Sequence, residues 1–371
     1  MPGLYIHVQF CLRKCRYCDF YSVPAEADLV NAFLDALAAE LAGLPEGFAP
    51  YTVYVGGGTP TVLEPAALAR LCGLVHGRAG TGVVEWSCEA NPGTLTEEKA
   101  RLLLDAGVNR VSLGVQSFDD GALRFLGRAH TAEQAERAFR LLRECGVRNA
   151  GVDLMHGIPG TSRAALGRDL DRVAALAPEH VACYALIFEE GTPLAAQRDA
   201  GRVSEMPDRE QLAQYRQVRR RLGAAGYRHY EISNFAKPGF ECRHNLLYWG
   251  AGEYIGVGPA AHSHWGGARY GNVRDVGAYC DAMLSGRPAR AFEERLDPEA
   301  KARETLVMSL RQLDGVSREE FAKRTGFDYR ALRGREIDLL RETGMVEEAG
   351  GRLRLTEKGL FVSDSVFAEL V

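Results

Sequence analysis

Three cysteines stand close together near the start of the chain: Cys11, Cys15 and Cys18, within YIHVQFCLRKCRYCDFYS. So dense a group of thiols, straight after an apolar run, rarely serves packing alone. Iron–sulfur clusters take one protein ligand per iron, usually a cysteine thiolate. Three cysteines fit such a cluster with one iron left open to bind something else. Other chemistries suit the spacing less well. Zinc sites usually show two separated ligand pairs, and no second cysteine pair or His-x-x-x-His run follows. A two-cysteine redox motif uses Cys15 and Cys18 but leaves Cys11 idle. Buried, inert thiols are the plain alternative. Nine cysteines, an odd number, with no signal peptide in view, speak against a disulfide framework. Cys72, Cys88, Cys145, Cys183, Cys242 and Cys280 are isolated and read as small core residues. Arg13, Lys14 and Arg16 surround the thiols, and their charge is expected to favour thiolates and a negative cluster; a solvated face is the plain reading of each one singly.

The thiols need a frame. Short apolar runs near 3–8, 51–55, 83–89, 110–116, 149–154, 180–187 and 228–232 read as strands, and helical stretches separate the first six. Around 28–43, Leu29, Phe33, Leu37 and Leu41 form one stripe. Thr131 and Gln134 make a capping box for a helix that ends at Gly146. LDAGVNRVSLGV and RECGVRNAGVDL repeat one helix–glycine–strand boundary. Alternating strands and helices predict a parallel α/β sheet. Polar or glycine features recur at successive strand ends: the cysteine loop, Gly56-Gly57-Gly58-Thr59, Glu89, Gln116 and Asp153. Six βα units can form an open barrel or a doubly wound sheet; barrels carry their active sites at that end, so a partial (βα)6 barrel over residues 1–235 is expected. Residues 236–290 read as a connecting segment holding HNLLYW. Residues 291–371 change to helices and a hairpin about Ala349-Gly350-Gly351, which predicts a winged-helix-like domain. That domain mixes Glu347, Glu348 and Glu357 with its basic residues, so it reads as a lid or partner surface, not a DNA reader.

Composition bounds the function. The chain has 371 residues, 46% hydrophobic and 25% charged, with a net charge of −4. A general nucleic-acid binder is not expected from that balance. No apolar run reaches membrane-spanning length. A cytoplasmic setting, where reducing conditions suit exposed thiols, is the default expectation.

The cysteine triplet, with Tyr17 just before its last thiol, resembles the signature of the radical S-adenosylmethionine (SAM) superfamily. The resemblance implies a [4Fe–4S] cluster on Cys11, Cys15 and Cys18 whose open iron chelates SAM. An electron from the cluster then breaks a carbon–sulfur bond and yields a 5′-deoxyadenosyl radical. It further implies SAM contacts residue by residue. Gly57, Gly58 and Thr59 of GGGTP would hold the SAM amino group through backbone carbonyls, and Glu89 of EANPGT the amino or ribose groups. Gln116 and Asp153 match ribose or adenine positions. Arg128 matches the partner of the SAM carboxylate, a task suited to a planar guanidinium. Tyr5 and Tyr17 are further contact positions, and Ala185 would line the adenine pocket by its small size and its backbone.

LYIHVQFC, VYVGGGTPT, EANPGT, LGVQSF, DLMHGIPG and CRHNLLYW together resemble the oxygen-independent coproporphyrinogen III dehydrogenase group, and within it the HemW branch of heme chaperones. Gln9 departs from the group's usual proline, with no effect expected on the cluster. Phe20 stands where the dehydrogenases carry a further cysteine, and only ten residues precede Cys11, so the dehydrogenases' N-terminal arm is expected to be missing. HNLLYW matches the HemW mark, which implies that His244 binds heme. Imidazole is a common heme ligand, and Tyr248 and Trp249 are flat neighbours for a macrocycle; a packed core histidine is the plain reading of the same residues. His262 and His264 are additional candidates for contact with SAM, substrate or heme, and His7 reads as a core or near-site residue. The implied partners are heme, heme-acceptor proteins such as respiratory membrane proteins, and an electron donor. Oxidative decarboxylation of coproporphyrinogen III, or radical chemistry on an unrelated substrate, are the other readings.

Overall fold

The computed structural model describes all residues, 1–371. Its first half alternates strand and helix as β1 (Gly3–Val8), α1 (Ala27–Ala42), β2 (Thr52–Gly57), α2 (Pro65–Ala79), β3 (Glu85–Ala90), α3 (Glu97–Asp105), β4 (Arg110–Gln116), α4 (Asp120–Leu126), α5 (Ala132–Glu144), β5 (Ala150–His156), α6 (Arg163–Leu176) and β6 (His180–Ala185). The six strands pair in order and in parallel. The Thr131–Gln134 capping box forms. Gly107 and Gly146 close their helices with φ of 103° and 94°, a conformation that costs glycine little.

Next come α7 (Pro193–Asp199), α8 (Asp208–Ala224), β7 (Arg228–Glu231), β8 (Asn234–Ala236), α9 (Arg243–Trp249), β9 (Tyr254–Val257), β10 (His262–Trp265), β11 (Ala268–Asn272), α10 (Val276–Leu284) and β12 (Arg290–Glu294). One sheet takes in every strand so far, in the order β12-β11-β10-β9-β1-β2-β3-β4-β5-β6-β8-β7. It does not close on itself. The stretch read as a connecting segment therefore supplies sheet: β9 lies parallel beside β1, and Ile255, Val257 and Tyr279 join the main core. Its strands are four or five residues long, too short and glycine-broken to give a strong alternation.

The strands present their two faces differently. Leu4, Ile6, Val53, Val55, Val111, Leu113, Val152 and Val181 point outward under the helices and are buried in the main core. The register aligns Tyr5, Tyr54, Ser87 and Arg110 across β1–β4, and Glu89, Ser112 and Gly151 across β3–β5. Side chains alternate along a strand, so the concave face is polar and suits a polar ligand.

The C-terminal unit runs α11 (Pro298–Leu310), β13 (Val316–Ser317), α12 (Arg318–Thr325), α13 (Tyr329–Glu342), β14 (Val346–Ala349), β15 (Arg352–Leu355), α14 (Glu357–Phe361) and α15 (Ser363–Leu370). Its three-stranded sheet has the order β13-β15-β14, the arrangement of a winged helix. Gly350 and Gly351 make the hairpin turn with φ of 58° and 73°, as a two-residue turn of this kind requires. Its separate core includes Tyr215 of α8. Arg216 and Arg219 of α8 pair with Glu357 at 2.8 and 3.2 Å, which docks the unit on the barrel's flank.

Candidate functional site

The cysteine loop leaves β1 at the C-terminal end of the sheet and is pinned from four sides. Phe10 bridges Val23. The amides of Gly58 and Thr59 donate to the carbonyls of Val8 and Phe10 at 2.7 and 2.8 Å; Arg16 N–H donates to Leu126, and Leu194 N–H to the Arg16 carbonyl. All three thiols are free and half-buried. They do not close on one point as ligands of a single ion do; a polynuclear cluster spreads its ligands over several irons. Burial pushes the Cys18 thiol up to about 11 and raises that of Cys11, which the Thr59 hydroxyl and Arg128 oppose. Arg13 and Lys14, expected to supply the favouring charge, are exposed. The cation that reaches the thiols is Arg128, whose Nη1 donates to Cys15 Sγ at 3.4 Å. Metal coordination deprotonates such thiols outright. The donor set thus fits a cluster.

Beside the loop, GGGT is shaped by its own surroundings. A Cβ on Gly56 would meet the Glu89 carboxyl at 2.7 Å, and on Gly57, at φ +100°, the His7 ring at 2.5 Å. The amides of Gly57, Gly58 and Thr59 point into the protein, to Glu89 Oε2 at 3.1 Å and to the β1 exit. What this loop offers a ligand is carbonyl oxygen. Glu89 also accepts from Tyr54 Oη at 2.8 Å. Burial lifts its pKa to about 7, and Asp153 adds to the shift. Tyr5 Oη meets His7 Nδ1 at 3.0 Å.

Across the concave face, Arg128 Nη2 donates to the Gly114 carbonyl at 2.6 Å. Burial opposes its charge, while the Tyr17 hydroxyl and the Cys15 thiol offset that, so the guanidinium stays above its usual pKa. Gln116 sits at φ 68° in a β4 bulge and accepts from Tyr184 Oη at 2.7 Å. Asp153 accepts from Ser112 Oγ at 2.9 Å, and burial raises its pKa against the pull of Ser112, Arg110 and Arg128. One polar surface therefore gathers the three cysteines, Tyr5, Tyr17, Gly57, Gly58, Thr59, Glu89, Gln116, Arg128 and Asp153. Tyr54 and Tyr184 belong to it too. Their signal was the strand alternation that puts Tyr54 on the face of Tyr5.

Two expected residues lie elsewhere. Ala185 follows the inward Tyr184 and pairs with His156, so alternation turns its side chain to the outer face, where it lines a different cavity, and leaves only its backbone for the part expected of it. His244 has no exposed surface. It plugs the opposite, N-terminal end of the sheet, with Nδ1 on Thr52 Oγ1 and Nε2 on Tyr248 Oη, both at 2.9 Å. Glu85 receives its backbone N–H at 3.0 Å and that of Arg243 at 2.9 Å. Burial drives the His244 pKa down to about 3. Both ring nitrogens are spent, so this geometry is that of a packing residue, not of an open heme ligand. His264 is also buried and bonded, to the Gly252 carbonyl at 2.9 Å; His262 is exposed beside Phe292.

Residues 5–173 match the radical SAM superfamily, and residues 296–362 match the HemN C-terminal domain. A curated relative from Bacillus subtilis (strain 168), the heme chaperone HemW, is 35% identical over 99% of this chain and 98% of its own length. The chain belongs to the HemW family. The HemW of Escherichia coli (strain K12) is 36% identical over 98% of this chain and 96% of its own. The fold is shared with the solved Escherichia coli coproporphyrinogen III oxidase HemN, described as a radical SAM enzyme: TM-score 0.86, 22% identity, covering 100% of this chain and 90% of that one. The superfamily implies a [4Fe–4S] cluster and SAM. No helix of this HemW relative is long and apolar enough to cross a membrane.

Proposed function

We propose that this protein is a heme chaperone that carries a [4Fe–4S] cluster and SAM, and passes heme to acceptor proteins. The observation that carries the reading is likeness along the whole length to proteins named heme chaperones, at 35% and 36% identity.

Cys11, Cys15 and Cys18 would hold three irons. The carbonyls of the GGGT loop and the Glu89 carboxylate would receive an ammonium group, and the Arg128 guanidinium a carboxylate. Gln116 and Asp153 would receive hydroxyl or amide groups of the nucleoside. When bound, the cluster supplies an electron to the sulfonium of SAM. The protein's part is to hold both in register: Arg128 touches Cys15 and β4 at once, and Thr59 touches Cys11 at 3.6 Å. An electron donor and a heme acceptor complete the expected partners.

The test pairs two assays on one anaerobically reconstituted preparation. Hemin-loaded protein is mixed with an apo heme protein, and coproporphyrinogen III turnover is followed in parallel. Heme transfer without decarboxylation is the expected result. Robust decarboxylation without transfer would replace this reading with the dehydrogenase one.

A further inference from the structure

Gln116 sits where a side chain is costly. Its φ of 68° lies in the left-handed region that favours glycine. The Ser117 N–H donates to the Val115 carbonyl at 2.9 Å, so Gln116 is the middle of a three-residue turn. With a positive φ at its centre, this is the strained form of that turn. A non-glycine residue keeps such a conformation only where its surroundings over-determine it. The groups that hold it come from α6, in the outer helix layer.

Asp169 of α6 is 6% exposed. Its Oδ2 accepts from Ser117 Oγ at 2.6 Å, and its Oδ1 from the Phe118 N–H at 3.1 Å. Ser117 Oγ accepts in turn from the Asp119 N–H at 3.0 Å. Three residues on, and so on the same face of the helix, Arg172 donates to the Phe118 carbonyl at 2.8 Å and lies over the Phe118 ring. One helix thus grips the N–H and the carbonyl of Phe118 at once. A leucine at 169 would serve helix packing. A carboxylate buried there costs desolvation, and its partners are the two groups that follow Gln116. The same segment opens α4: Asp119 caps it through the Ala122 N–H at 2.9 Å, and α4 ends at Gly127, next to Arg128. Gln116 and Arg128, assigned above to opposite ends of SAM, therefore hang on one clamped stretch.

We propose that Asp169 is a positioning residue for SAM: with Arg172 it holds the turn at Gln116 in the strained form that presents the amide to the nucleoside. The assignment rests on the SAM reading above. Asp169 touches no ligand itself. Without the clamp the turn relaxes, only part of the population stays competent, and the apparent affinity falls by that fraction.

The test is SAM titration of the anaerobically reconstituted full chain, followed by calorimetry and by the SAM-induced shift in the electron paramagnetic resonance of the reduced cluster. Asp169→Asn should weaken SAM binding about tenfold, the population effect of releasing one strained residue, with iron content and the SAM-free spectrum as in wild type. Arg172 has a side chain 46% exposed, so Arg172→Ala leaves the fold intact; it should weaken binding about threefold, and it alone decides if Asp169→Asn does not fold. Gln116→Asn keeps an amide on a residue that enters the left-handed region more readily. In that background Asp169→Asn should cost no more than about threefold. Unchanged SAM affinity in Asp169→Asn and Arg172→Ala, or an Asp169→Asn loss of equal size in both backgrounds, would overturn the assignment alone. Wild-type protein that forms its cluster but binds no SAM would overturn the SAM reading, and the assignment with it.

Discussion

At His244 the ring nitrogens bind Thr52 and Tyr248, and truncation would strand both partners in a closed space. His244→Ala is therefore expected to cost roughly 2–4 kcal/mol of stability, read as a lower urea midpoint, while the folded fraction keeps wild-type hemin affinity. Heme loss without a stability change would restore the ligand role. Gln9 is fully buried, with both amide atoms unpartnered. Such a group carries a desolvation cost, so Gln9→Met, which keeps the shape without the amide, should stabilise by about 1–2 kcal/mol with iron content unchanged; thermal unfolding decides it. Glu89 brings a pH dependence. Its carboxyl, with a pKa of about 7, is mostly neutral at pH 6 and must ionise to hold an ammonium. SAM affinity should then rise about fivefold between pH 6 and pH 7 by linkage. Glu89→Gln should flatten that rise, as calorimetry at the two pH values would reveal.

Among the elements, the GGGT loop is the most constrained. Gly57 combines φ +100° with the His7 ring at 2.5 Å from any added Cβ. Gly57→Ala should cost about 2 kcal/mol or more and abolish measurable SAM binding, while Gly73→Ala, on the α2 surface with open space around it, should gain about 1 kcal/mol by helix propensity and leave SAM binding unchanged. The loop, the capping box and the helix–glycine–strand boundaries were legible because local chemistry fixes them. So were β1–β6, whose apolar runs report the outer core. The extension of the sheet beyond β1 was not legible: β9 to β12 are short, and β12 is exposed throughout. The side on which Ala185 and His244 sit was not legible either. Motif identity says that a residue matters, whereas strand alternation and the seat of α9 against Glu85 decide what it faces.

At the scale of the molecule, an open parallel sheet holds two ends of different character. The cysteine loop and the polar concave face occupy one end. The α9 plug, built on Glu85, Thr52 and His244, seals the other. The C-terminal winged helix docks on α8 and α9, where Arg324 donates to the Gly250 carbonyl at 2.8 Å. That docking shapes the outer cavity. The whole account turns on the thiols as corners of an iron–sulfur centre with one open iron. Anaerobic reconstitution with iron and sulfide, followed by low-temperature electron paramagnetic resonance of the reduced protein, tests this most directly. The expected result is about four irons per chain, a signal that shifts when SAM is added, and loss of the centre in Cys11→Ser, Cys15→Ser and Cys18→Ser alike. A preparation that takes up no iron, or a centre that survives any one of those substitutions or ignores SAM, would contradict it.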